Sequence, residues 1–242
     1  MIPAPAFLAN PERFMAFSRW AAPLFGALAM GLAGVGLYLG FTAPEDYQQG
    51  QTVRIMFIHV PAAQMAMFIY ACLGVASLLS LIFRHTLADA AAQAAAPLGA
   101  AFTFLALVTG SLWGRPMWGT WWVWDPRLVS VLVMFLIYLA YMALRASLDD
   151  EAKAARAAAI LALVGLVNLP IIHFSVEWWN SLHQGSSLFR KGGPAMPPVF
   201  LIPLLLMSLA YMAAFGSLWL VRIRGELWRR RAEAAQLRAA RA

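Results

Sequence analysis

Six apolar runs, at roughly 20–41, 58–83, 94–112, 128–146, 157–176 and 198–221, divide this chain. Each approaches the ~20 residues a helix needs to cross the hydrocarbon core of a bilayer. The expectation is an all-α integral membrane protein, a single six-span domain over residues 1–242. Composition agrees, because 62% hydrophobic and 12% charged residues is a balance that soluble globular domains do not reach. The first run is too long for the apolar core of a signal peptide and lacks a small-residue cleavage site, so it reads as a retained span.

An even number of spans leaves both termini on one side, and the distribution of Lys and Arg selects that side. One face takes Arg13, Arg19, Arg84, Arg145, Lys153, Arg156 and the tail arginines 222, 224, 229, 230, 231, 238 and 241, thirteen in all. The other takes five: Arg54, Arg115, Arg127, Arg190 and Lys191. Both termini are therefore expected in the cytoplasm. A net charge of +7 does not point to nucleic acid, since the arginines gather at span ends and in the tail. The runs Arg84–Asp89 and Asp149–Arg156 read as solvated inner connections, and the basic tail 222–242 as a helix on an anionic inner leaflet or against a partner. Cys72, the lone cysteine, lies in an apolar run and reads as packing. No P-loop, GxGxxG, HExxH, CxxC or CxxCH is present, so any ATP-driven work belongs to another subunit.

Chemistry collects in the outer loops, at about 42–57, 113–127 and 177–197. Five of the ten tryptophans fall within Trp113–Ser130, WGRPMWGTWWVWDPRLVS. Indoles favour the membrane interface, but this density exceeds what a belt needs and suits a large flat ligand. Trp118, Trp121 and Trp122 stand at i, i+3 and i+4 and share a face if the segment is a short amphipathic helix. Asp125 followed by Pro126 reads as a helix N-cap with proline at N1. Among four histidines, His85 reads as solvated and His173 lies inside the end of the fifth run, which Asn168 and Pro170 interrupt. His59 sits at the outer mouth of the second run and His183 just beyond the fifth. A single histidine near a membrane end is usually a hydrogen-bonded structural residue. Two, from separate outer loops facing a tryptophan-rich third, suit axial coordination of a haem from both sides and leave the iron no open position. That favours carrying haem over catalysis with it. Arg54, Arg127 and the indole N–H groups of Trp118–Trp124 are on the right side for its propionates. Glu177 is a candidate partner for a histidine or for Arg190.

These residues carry a resemblance. WGTWWVWDPRLVS at 118–130, the histidine of IHVPAAQ at 59 and EWWNSLHQGSS at 177–187 resemble the haem-handling membrane proteins with a "WWD" segment, most of all the cytochrome c maturation protein C family (CcmC, haem exporter protein C). The likeness covers essentially the whole chain, and length argues against the larger members of the group. It implies haem b bound as cargo at the periplasmic face of a bacterial inner membrane. His59 and His183 would be the iron ligands, with Trp118, Gly119, Trp121, Trp122, Trp124 and Asp125 of the segment around the macrocycle. It further implies a multi-pass protein in contact with membrane lipid, delivery to the haem chaperone CcmE, and association with the small protein CcmD and the transporter subunits CcmA and CcmB. The subunit itself would not be an enzyme. His173 matches no ligand position of the family. Two other classes remain as alternatives: an intramembrane b-type cytochrome, which needs histidines deep in facing helices, and a six-span solute permease, which would leave the tryptophan loop unexplained.

Overall fold

The computed structural model describes residues 10–183, 185 and 192–240. Among them are seven α-helices: α1 (Pro11–Thr42), α2 (Met56–Phe83), α3 (Thr86–Trp118), α4 (Pro126–Ser147), α5 (Glu151–Gly165), α6 (Asn168–Trp178) and α7 (Pro198–Ala239). A short 3-10 helix, Gln51–Ile55, leads into α2. The described residues supply six helical segments long and apolar enough to span a membrane, with α5 and α6 together forming the fifth. The helices overrun the apolar windows at α1, α3 and α7, because alanine-rich and charged ends such as LADAAAQAAAP favour helix without being lipophilic.

The interruption in the fifth span has a local cause. Leu166 and Val167 donate to Leu163 and Val164, a tightening to i−3 bonds. Pro170 has no N–H for the Leu166 carbonyl, which accepts from Leu169 instead. Asn168 Nδ2 secures the break by donating to the Ser130 carbonyl of α4 at 2.8 Å.

α2 and α3 form the centre, with α4 beside α3 and α5 against both α2 and α4. α6 packs on α4, while α7 touches α2 and α3 and carries α1 on its outer side. Two fully buried tyrosines knit the centre, Tyr70 and Tyr138, meeting edge to face at 5.0 Å. The Tyr70 hydroxyl donates to the Ala162 carbonyl at 3.2 Å and that of Tyr138 to the Ala66 carbonyl at 2.9 Å. Gly165 and Gly99 make room for these rings, since a Cβ at either would collide with the phenol it faces. Cys72 packs, partly buried, against the same cluster.

Glu12 pairs with Arg231, so the start of α1 and the C-terminal part of α7 lie at one end of the bundle. This terminal end departs from the sequence expectation in three ways. Asp89 is buried and grips Arg145 at 2.8 Å and Arg230, with Gln93 bonded to both arginines, so it is no solvated turn. His85 is also structural: its Nδ1 accepts from the N–H groups of Leu87 and Ala88 and caps α3. The basic tail is not a separate helix; it continues the last span as the 42-residue α7, whose Arg229 and Arg230 pair with Glu226 and reach Glu151. Arg241 lies outside the described residues.

Candidate functional site at the tryptophan end

The opposite end of the bundle brings together the α3–α4 connection, the start of α2 and the segment after α6. Asp125 is its hinge. One carboxylate oxygen accepts from the Leu128 N–H at 2.8 Å and caps α4, as Asp-Pro predicts. The other accepts from the Ser181 hydroxyl at 2.8 Å and faces His183 Nδ1 at 3.0 Å. Ser181 also receives the His183 backbone N–H at 3.1 Å. Burial opposes the charge on Asp125, but the bonds from Leu128, Ser181 and His183 outweigh it and hold the carboxyl below its ordinary range. His183 is driven toward its neutral form, first by burial and then by the nearby Arg127 charge, against the opposing pull of Asp125. The indole of Trp118 packs on the His183 ring edge to face at 4.8 Å.

His59 is seated on a different face of the same helix end. Its Nδ1 lies 3.0 Å from the Ala106 carbonyl and 3.2 Å from the Thr109 hydroxyl oxygen. Thr109 spends its own proton on the Leu105 carbonyl at 2.6 Å, so toward the ring it accepts. Trp113 meets the imidazole edge to face at 5.7 Å and is itself held by Gln49 at 3.1 Å. Gly110 faces the ring without a side chain. The last turns of α3 thus seat both imidazoles. In each ring Nδ1 is engaged, and neither Nε2 has a hydrogen-bond partner among the described residues. Two fixed imidazoles with unengaged Nε2 atoms can ligate a metal that brings its own equatorial ligands; among the described residues no group of three or more His, Cys, Asp or Glu could hold a bare ion.

The tryptophan segment is not the short helix its spacing suggested. α3 runs through Trp118 and stops at Gly119, whose φ of +78° is left-handed. From there to Asp125 the chain is non-helical, because Thr120 bonds the Trp122 backbone, Ser111 takes the Trp121 carbonyl at 2.7 Å, and the residue before a proline favours extended backbone. Trp121 and Trp124 are 55% and 77% exposed, so their rings are open for contact, with Trp121 under the Arg115 guanidinium. Trp122 meets Trp124 edge to face, and its buried Nε1 has no hydrogen-bond partner among the described residues. Arg54, in the 3-10 helix, donates to the Ala43 carbonyl at 3.3 Å, and its buried Nε has no partner among the described residues. Arg127 turns to α6, donating to Ser175 at 3.1 Å and to the His173 carbonyl at 3.3 Å. His173 is exposed, its ring against Phe174. Glu177 is exposed as well, and the carboxylate that serves a histidine is Asp125; Arg190 and Lys191 lie outside the described residues. Sequence reasoning missed Ala106, Thr109, Gly110, Gln49 and Ser181. Only Ser181, two residues before His183, carried a local signal.

Residues 5–238 match the family model described as heme exporter protein C. Relatives bearing that name include the protein of Bradyrhizobium diazoefficiens, 56% identical over 95% of this chain and 88% of its own length. That of Paracoccus denitrificans is 47% identical over 97% and 98%. That of Escherichia coli K12 is 47% identical over 90% and 88%.

Proposed function

The chain belongs to the heme exporter protein C family, and from that premise we propose that it holds haem at the tryptophan end of the bundle, between His59 and His183, and delivers it to the chaperone CcmE in cytochrome c maturation. The observation that carries this reading is the paired imidazoles, each fixed through Nδ1 with Nε2 left for a ligand. Bis-imidazole ligation fills both axial positions of haem b, which suits cargo rather than a centre that activates oxygen.

The surroundings suit the rest of the molecule. Trp118, Trp121, Trp122 and Trp124 offer apolar faces to the macrocycle, and the left-handed Gly119 lets the segment turn off α3. The unpartnered Trp122 Nε1 and Arg54 Nε are donors for propionates, and Arg127 supports the site through Ser175 and His173. The excess of Lys and Arg at the terminal end supports termini in the cytoplasm of a bacterium and a haem site in the periplasm. CcmD, CcmA and CcmB are the partners, and because no nucleotide motif is present, ATP hydrolysis belongs to the transporter pair. This subunit contributes positioning and is not an enzyme.

The visible spectrum of the purified protein tests the reading beside His59→Ala, His183→Ala and the double variant at equal yield. A bis-histidine Soret and α/β pattern in the parent, lost in the double variant, supports it. Unchanged haem in the double variant would remove both ligands from the site.

A further inference from the structure

We infer that the two axial positions are unequal: Asp125 acts as a positioning residue that makes His183 the retained ligand, and His59 is the ligand that yields when haem is handed on. The inference rests on the haem reading above and concerns which bond breaks first.

The Nδ1 partners differ in kind. His59 donates to two neutral acceptors, the Ala106 carbonyl and the Thr109 hydroxyl oxygen. His183 donates to a carboxylate at 3.0 Å that is only 6% exposed. A carboxylate on the far nitrogen pushes electron density through the ring to the ligating one, and its ligand becomes the stronger donor. Little water screens that charge. Ser181 and the Leu128 N–H hold the carboxylate in place, so its acceptor oxygen fixes the tautomer of His183 with the proton on Nδ1 and Nε2 free to ligate. Arg127 is the neighbouring cation, but its Nε and one Nη are turned to α6. Position alone would suggest the reverse order, because His59 stands on a helix and His183 on a connecting segment. The hydrogen bonds of Asp125 invert it. In the exchange the Fe–Nε2 bond of His59 breaks, its electron pair returns to the ring, and a neutral nitrogen or oxygen donor of the acceptor fills the vacated position. No electron or proton need move.

Full-length protein in detergent, loaded with haem, separates the two sides. Asn caps a helix as well as Asp, so Asp125→Asn keeps α4 while removing the charge. We expect Asp125→Asn to raise the haem midpoint potential and to speed haem loss to apomyoglobin about tenfold, the low end of the range for such partners. Thr109→Val, which takes a neutral acceptor from His59, is expected to move both less. His183→Gly should lose haem about tenfold faster than His59→Gly, with added imidazole restoring the bis-imidazole spectrum in each. Equal loss from the two glycine variants, or an unchanged potential in Asp125→Asn with its bis-imidazole spectrum intact, would overturn the inequality and leave the haem site standing. A parent protein with no bis-imidazole spectrum would overturn the haem reading and this inference with it.

Discussion

Gly110 on α3 and His59 on α2 occupy one shared space: a Cβ on Gly110 would lie 2.8 Å from the imidazole Cε1. Gly110→Ala therefore forces His59 away from Ala106 and Thr109 or shifts the helices, at about 1–3 kcal/mol. The expected outcome is normal membrane insertion with haem content reduced by about tenfold or more, read from the Soret absorbance per protein. Full loading of Gly110→Ala would show that the seat of His59 does not matter to binding.

The tryptophans should not be equivalent. Trp118 packs on His183 at 4.8 Å, whereas Trp124 is 77% exposed. Trp118→Ala is expected to lower haem retention more than Trp124→Ala. Changes at 118, 121, 122 and 124 together should lower chaperone loading cumulatively. Heme-stained CcmE after co-expression gives the measurement, and normal loading by the quadruple variant would reduce the cluster to an interfacial belt.

Asp89 stands between Arg145, whose side chain is 6% exposed, and Arg230. Asp89→Ala leaves both cations without this anion, and removing one partner of such a buried pair costs about 3–5 kcal/mol. The variant should unfold at lower temperature in detergent and insert less well. The haem spectrum of whatever folds should stay normal, because the network lies at the other end of the bundle. A spectral change without a loss of stability would count against that separation.

Gly165→Ala puts a methyl where the Tyr70 hydroxyl sits. We expect a severe loss of folded protein, partly recovered by the double change Gly165→Ala with Tyr70→Phe, since removing the hydroxyl reopens the space and gives up only its bond to Ala162. Size-exclusion yield of the two variants decides; no recovery would mean that the ring edge and Ile137, not the hydroxyl, limit packing there.

Orientation is tested with reporters. Alkaline phosphatase fused after Ala242 should be inactive and a fluorescent protein at the same point should glow if the termini face the cytoplasm, as the Lys and Arg excess predicts. Active phosphatase at the C-terminus would invert the protein and move the imidazoles to the other side.

Much of this was legible in the residues because lipid-buried helices announce themselves by length and apolarity, and the six spans follow from that. Asn168 and Pro170 likewise announced the break in the fifth span by simple backbone chemistry. The seats of the histidines were not legible. Ala106, Thr109 and Gly110 are ordinary residues of an apolar helix, and their role depends on a packing register 47 or more positions away from His59. The helical spacing of Trp118, Trp121 and Trp122 misled, since the left-handed Gly119 and the Asp-Pro at 125 override periodicity over so short a stretch. Asp89 misled for the opposite reason: a charged residue in a short turn reads as solvated, and only the return of α7 from the far end of the chain brings Arg230 to bury it.

The start of α4 holds the end of α6 and the segment beyond it, Ser175 through Arg127 and Ser181 through Asp125. Residues 175–181 therefore form a closed ring on a rigid helix end, and His183 hangs from its clasp. A coordination chemist would describe this as a chelate backbone completed before the metal arrives. The freedom that a loose loop would surrender on ligation is surrendered during folding instead, so under the proposed function the imidazole meets its cargo already aimed.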